Sequence, residues 1–275
     1  MLLLWNSAPG MLRTRINALV LIALVGVLLA ACASAPPEND GQVVLPAITA
    51  FSKAQPGDVL PGGWRVWTLS RLKKTTDYRM VSHRGRNVMR AQAHGSASGL
   101  THDLDVDLKA YPVLRWRWLV EELIPGADNT QAHSEDSPVR IVLAFSGDKS
   151  KWDFSERILA TQLRMLAGFE MPYATLSYIW ENRAPKGTLI HSHHTGRSKM
   201  IVAESGKEKL GQWWLESRNV YEDYKRAFGE EPGRLYAIAI MTDTDNTGAT
   251  THAYYGDIVF ERAPESKIGN SVTGN

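Results

Sequence analysis

The chain has almost no cysteine: Cys32 is alone among 275 residues. An intrachain disulfide is therefore excluded, and so is a thiol nucleophile anywhere after the N-terminal segment. An excess of one charge is lacking too, with 31 Lys and Arg against 29 Asp and Glu and no basic stripe. A nucleic-acid binder carries such an excess or face, so that class of partner is excluded. Catalytic signatures are also missing. There is no H-E-x-x-H, no phosphate-cradling glycine loop and no dinucleotide fingerprint. Gly95-Ser-Ala-Ser-Gly99 has the outline of a nucleophile elbow, but Ala97 stands where serine is required. His191-Ser-His-His194 has no cysteine or carboxylate at ligand spacing and reads as a solvated loop.

What is present begins with one long apolar run. Arg13 and Arg15 precede the stretch from Asn17 to Leu28, and Leu29-Ala-Ala-Cys32 closes it. A basic start, a short apolar core and small residues before a cut site make a secretory signal. The run is short for a helix spanning ~30 Å of hydrocarbon, which takes about 20 residues. Met11 gives a better-proportioned start than Met1. Leu29-Ala-Ala-Cys32 resembles the lipobox of bacterial lipoproteins. That resemblance implies that Cys32 is acylated and heads the mature chain, which makes a membrane the partner of its N-terminus. With Ala33 rather than aspartate next, it implies a cell-envelope protein on the outer membrane, facing the periplasm. Arg13 and Arg15 leave with residues 1–32, so the remaining charges balance at 29 against 29. Residues 33–50 have the small, proline-bearing composition of a tether, and 263–275 read as a loose tail. Residues 51–262 remain, enough for one domain with a proper core.

Period-two alternation dominates that stretch. Leu104, Val106 and Leu108 alternate with Asp103, Asp105 and Asp107, and Leu114, Trp116 and Trp118 alternate with Arg115 and Arg117. Each pattern is a half-buried strand. Further strands are expected at 64–68, 78–82, 88–93, 139–145, 175–180, 199–202, 236–242 and 252–260, with a hairpin turn at His83-Arg-Gly85. Asp153 to Ala167 has amphipathic helical spacing with Gly168 as a stop, and a shorter helix at Val220–Phe228 ends at Gly229. The expected fold is all-β, an antiparallel jelly-roll β-sandwich with one longer and one short helix inserted.

Several blocks carry a resemblance. They are Gly63-Trp64, Ala97-Ser-Gly-Leu100, Tyr111-Pro-Val-Leu-Arg-Trp-Arg-Trp118, Ser137 to Phe145, Tyr178-Ile-Trp180, Trp214 to Tyr224, and Asp243 to Gly248 with Tyr255-Gly-Asp-Ile258. Across about 51–260 they resemble a bacterial family known as domain of unknown function 3047, which brings no activity with it. The early Phe51 and Gly63-Trp64, the Ala97-Ser-Gly99 turn and the late Tyr-Gly-Asp-Ile-Val-Phe strand are also similar to galactose-binding-like, carbohydrate-binding jelly rolls. That similarity is one of architecture, and a fold does not assign a function.

Candidate ligand contacts follow from the strand faces. Arg115, Arg117 and Arg140 stand opposite strongly apolar faces, and would form one surface if their strands were neighbours. Trp180, Glu181, Glu216 and Arg218 could line the same surface. Planar donors, acids and rings on a concave face suit a sugar or an anion, and a structural ion-pair network accounts for the same residues. The loop Asp243-Thr-Asp-Asn-Thr-Gly248 starts like an EF-hand, with Asp243, Asp245, Thr247 and Gly248 at positions 1, 3, 5 and 6. Position 12 is then Tyr254, where that loop needs glutamate. Two readings remain: a hairpin turn, or a structural calcium site made by Asp243, Asp245 and Asp257. No other cofactor is expected. Non-catalytic glycan binding is the leading expectation. The alternatives are a carbohydrate-active hydrolase using two of Glu181, Glu216 and Asp243, and a structural envelope protein that binds another protein.

Overall fold

A computed structural model describes residues 47–263, apart from 69–72, 169 and the side chains of 166 and 167. Cys32, the signal, the tether up to residue 46 and the tail from 264 lie outside the described residues. Twelve strands are described: β1 (Trp64–Thr68), β2 (Asp77–His83), β3 (Arg86–His94), β4 (Ala97–Val106), β5 (Val113–Val120), β6 (Ser137–Phe145), β7 (Ala174–Glu181), β8 (Leu189–His191), β9 (Ser198–Ser205), β10 (Trp214–Asn219), β11 (Leu235–Asp243) and β12 (Thr250–Glu261). Helix α1 (Phe154–Ala167) lies between β6 and β7, and α2 (Val220–Phe228) follows β10.

The strands form two sheets, β1-β4-β11-β6-β7-β9-β8 and β10-β5-β12-β3-β2. From β3 to β6, and again from β10 to β12, successive strands alternate between the sheets, which is jelly-roll wrapping. Pairing is antiparallel except between β7 and β9, which run parallel. The two sheets meet over an aromatic spine. Trp116 and Trp118 of β5 are edge-on at 5.3 Å, Trp116 stacks on Tyr178 of β7 at 5.0 Å, and Trp118 meets Trp180 at 6.3 Å. All four are fully buried, and such pairs add about 0.5–1.5 kcal/mol each beyond the area they bury.

Both helices end as their sequences dictate. Asp153 caps α1 in a reciprocal box with Glu156, and Gly168 stops it in the left-handed region at φ 65°. Asn219 caps α2.

Two expectations about neighbours are corrected. β5 and β6 belong to opposite sheets, so Arg115 and Arg117 do not share a surface with Arg140. Alternation sets which side of a strand is wet, but it cannot say in which sheet the strand lies. The 243–248 loop is likewise no hairpin. β11 pairs with β4 and β6, whereas β12 pairs with β3 and β5, so the loop crosses between the sheets.

Candidate functional site

The outer face of the seven-stranded sheet carries a cleft of ≈ 890 Å³. Strand register builds its floor in rows. One row runs Arg65, Thr101, Ala239, Val142, Ser177 across β1, β4, β11, β6 and β7. The next runs Asp103, Ala237, Ala144, Thr175, Ser198. All ten residues line the cleft. The central members of both rows are small, which is what makes the face hollow. A third row, Trp67, Gly99, Met241, Arg140, supplies the tall and charged end. Gly99 is required there, because a Cβ would lie 2.5 Å from the Ile240 carbonyl and 3.1 Å from the Trp67 ring. The opposite wall is α1, through Leu159 and Leu163, together with Tyr173.

Charge at the Trp67 end is locked. Arg140 donates through Nε to Asp243 Oδ1 at 3.0 Å and through Nη2 to Oδ2 at 3.1 Å. Nη2 also reaches the Glu135 carbonyl at 2.8 Å and Asn129 Oδ1 at 3.0 Å. Burial pushes the Asp243 carboxyl up to about 6, against the pull of Arg140 and with the help of Asp136. At the other end Arg197 lies 3.9 Å over the Tyr173 ring and donates to Glu230 at 2.7 Å, and the Tyr173 hydroxyl donates to the same carboxylate.

Carboxylate oxygens of Asp136, Asp243 and Asp245 lie within 4.8 Å of one another. The loop thus brings Asp243 and Asp245 together as expected, but the third acid is Asp136. Asp257 is elsewhere, accepting from the Ser52 amide at 2.9 Å and hydroxyl at 2.6 Å. A calcium ion takes six to eight oxygens. Here Arg140 already balances Asp243, Lys73 balances Asp245, and the Asn246 and Thr247 amides donate to Asp136. The trio has the donor chemistry for a hard cation and is already supplied with positive partners.

The remaining sequence candidates do not line the cleft. Arg115 pairs with Glu261 at 2.9 Å, and Arg117 lies over Trp213. Trp180 is buried in the spine, its Nε1 donating to the Gly206 carbonyl. Glu181 is fully buried and accepts from Asn129. Glu216 sits between the sheets and accepts from Lys186 at 3.2 Å. Arg218 grips Asp223, which also accepts from the Tyr178 hydroxyl. Of the seven ligand candidates only Arg140 reaches the cleft. Of the three proposed catalytic acids only Asp243 does. The floor residues were invisible beforehand because alanine, threonine and serine on strands carry no chemical signature. Trp67 had one, being the ring opposite the core-facing Trp64.

A model of the family described as "Protein of unknown function (DUF3047)" matches residues 62–259. No protein with a curated description matches. Solved structures similar to the chain include a carbohydrate-binding module specific for non-crystalline cellulose, at 11% identity over 78% of this chain and 93% of that one, with a TM-score of 0.38. Another is the Trichoderma harzianum Endoglucanase 3 of family GH12, at 8% identity over 73% and 91%, with a TM-score of 0.36. A third is the Endo-D glycoside hydrolase domain from Streptococcus pneumoniae, at 7% identity and a TM-score of 0.32. That match covers 72% of this chain, which spans only 21% of that one.

Proposed function

Because the chain belongs to the DUF3047 family of unknown function, no inherited activity fixes its role, and we propose that it is a non-catalytic glycan-binding protein of the cell envelope. The observation that carries the reading is the registered floor of small side chains between Trp67 and Tyr236. Both rings line the cleft. Tyr236 precedes Ala237, which pairs with Asp103, and Trp67 pairs with Gly99. At ~3.4 Å per strand residue the rings are roughly 15 Å apart along the cleft. A sugar chain has apolar ring faces and hydroxyl edges. The alanines and valine of the floor suit the first. Thr101, Thr175, Ser177 and Ser198, with the Arg65–Asp103 pair at the rim, suit the second. The lipobox-like Leu29-Ala-Ala-Cys32 supports anchoring through Cys32 to the outer membrane, with the domain in the periplasm.

The test is binding of the mature chain to a panel of bacterial and plant polysaccharides. Val142→Trp fills the middle of the floor and is expected to weaken any hit at least tenfold with the thermal transition retained. Unchanged binding in that variant would remove the cleft from the account. Cys32→Ser is expected to release the protein from the membrane fraction, and retention there would end the anchor reading.

A hydrolase has one observation in its favour, the carboxyl of Asp243 held near 6 at the cleft's end. Release of reducing ends by the wild-type chain, lost in Asp243→Asn, would replace simple binding by catalysis.

A further inference from the structure

The outer face of the five-stranded sheet holds a cluster of rings. His83, at the end of β2, stacks on Tyr254 of β12 with centroids 4.3 Å apart and planes 9° from parallel. Trp213, just before β10, is 6.0 Å from His83 and 6.5 Å from Tyr254. All three are half-buried, so each keeps part of its surface in water. Leu119, the register partner of Tyr254 on β5, is fully buried. The rings are therefore seated on an apolar base and do not hang free.

Arginine joins them in an unusual way. Arg117 leaves β5, and its guanidinium lies 5.4 Å over the Trp213 ring. Its stem passes across β12 at Gly256, where a Cβ would come within 2.7 Å of Arg117 Cγ and 2.8 Å of Nε. Gly256 thus serves as a slot for an arginine. Burial first, and then the charge of Arg86 on β3 at the far side of β12, disfavour the charge of Arg117. Neither guanidinium makes a hydrogen bond or ion pair among the described residues. Arg84 adds a third positive charge near His83. The acids facing the cluster are Glu121 and Asp257, and Asp257 is already tied to Ser52. His83 Nδ1 is buried without a partner.

Arg86 is the register partner of His83 and Arg117 lies over Trp213, so two like charges stand on this ring-bearing face, and an anion between them relieves their repulsion. A guanidinium fork fits a carboxylate in two parallel hydrogen bonds, and the rings beside it offer flat apolar faces. We propose that this face is a second binding site, for a carboxylate-bearing sugar residue of an acidic polysaccharide. The carboxylate engages Arg117 and Arg86, while the sugar ring packs on Trp213 and Tyr254. The site is separate from the cleft and stands whether or not the cleft binds glycan.

The test uses the mature chain, with trigalacturonate and its methyl ester as probes, read by calorimetry and tryptophan fluorescence. The acid is expected to bind at least tenfold tighter than the ester. Arg117→Ala should remove that preference. Gly256→Ala should remove it as well, although every charge is kept, because it displaces the arginine from its slot. Trp213→Ala should weaken both probes. Four results would overturn the site. These are equal affinity for acid and ester, indifference to both Arg117→Ala and Gly256→Ala, displacement by inorganic phosphate at the same concentration as the trisaccharide, or loss of binding in Val142→Trp. The last would move the sugar to the cleft and support that reading instead.

Discussion

Two of the places where the sandwich buries charge hold it in different ways. Under the cleft, Arg140 and Asp243 are both out of water, with side chains 7% exposed on each side. At the open edge, where β9 of one sheet approaches β10 of the other, Glu204 and Glu216 are buried while their partners stay wet. Lys186 bridges the two acids and is 44% exposed, and Lys209, 30% exposed, holds Glu204 at 2.6 Å. The Lys209 ammonium also lies 3.6 Å over the Trp214 ring. The first arrangement is rigid and complete, so removing either member strands the other. The second adapts, because a lysine that loses one acid can turn to another or to water.

The sharpest test of that difference is Arg140→Ala. It leaves Asp243 buried with only the Ser137 amide for company, and chemical denaturation at pH 7 should show a loss of about 3–5 kcal/mol. A loss below about 1 kcal/mol would make the two sites equivalent. Next comes pH. The Asp243 carboxyl is raised from 3.8 to about 6, so the folded chain holds that proton more tightly than the unfolded chain does. Its contribution is full below about 4 and is lost as pH rises through about 6, roughly 3 kcal/mol in all. Denaturation midpoints of wild type and Asp243→Asn compared from pH 4 to 7 should diverge in that window, and parallel curves would refute the coupling. The smallest effect is expected from Glu216→Gln, within about 1 kcal/mol, since Lys186 keeps Glu204 and solvent. At the edge the Glu216 carboxyl is raised, chiefly by burial, while hydrogen bonds from Lys209 and Ser205 bring that of Glu204 down despite its burial. The two carboxyls therefore push stability in opposite directions as pH changes.

Much of the fold was legible. Trp116 and Trp118 declared themselves as core by alternating with arginines, and α1 was bounded by Asp153 and Gly168. The hairpin at His83-Arg-Gly85 is there, with Arg84 in the left-handed region at φ 51°. What could not be read depends on distance along the chain. Asp136 meets the Asn246 and Thr247 amides 110 and 111 residues away, and no local pattern announces such a contact. Glu181, Glu216 and Arg218 looked like ligand contacts because acids and a planar donor beside strand aromatics suit a sugar or an anion. In the structure Glu181 is held by Asn129 and Glu216 by Lys186, while Arg218 and Tyr178 meet on Asp223 and so join β10 and β7 to α2. Arg117 was singled out for its place on a wet strand face, but its crossing at Gly256 needs two strands to be known at once.

Sheet order also bears on when this molecule can fold. β11 is flanked by β4 and β6, and β12 by β5 and β3. The last two described strands are therefore interior members of the two sheets. Until residues 235–261 are present, β4 has no partner on one side, β5 and β3 are unconnected, and the cleft floor has no middle strand. Closure waits for contacts across more than a hundred residues, the kind of topology that folds in milliseconds to seconds and not faster. A chain passed through a membrane N-terminus first would stay open and threadable until its final segment emerged.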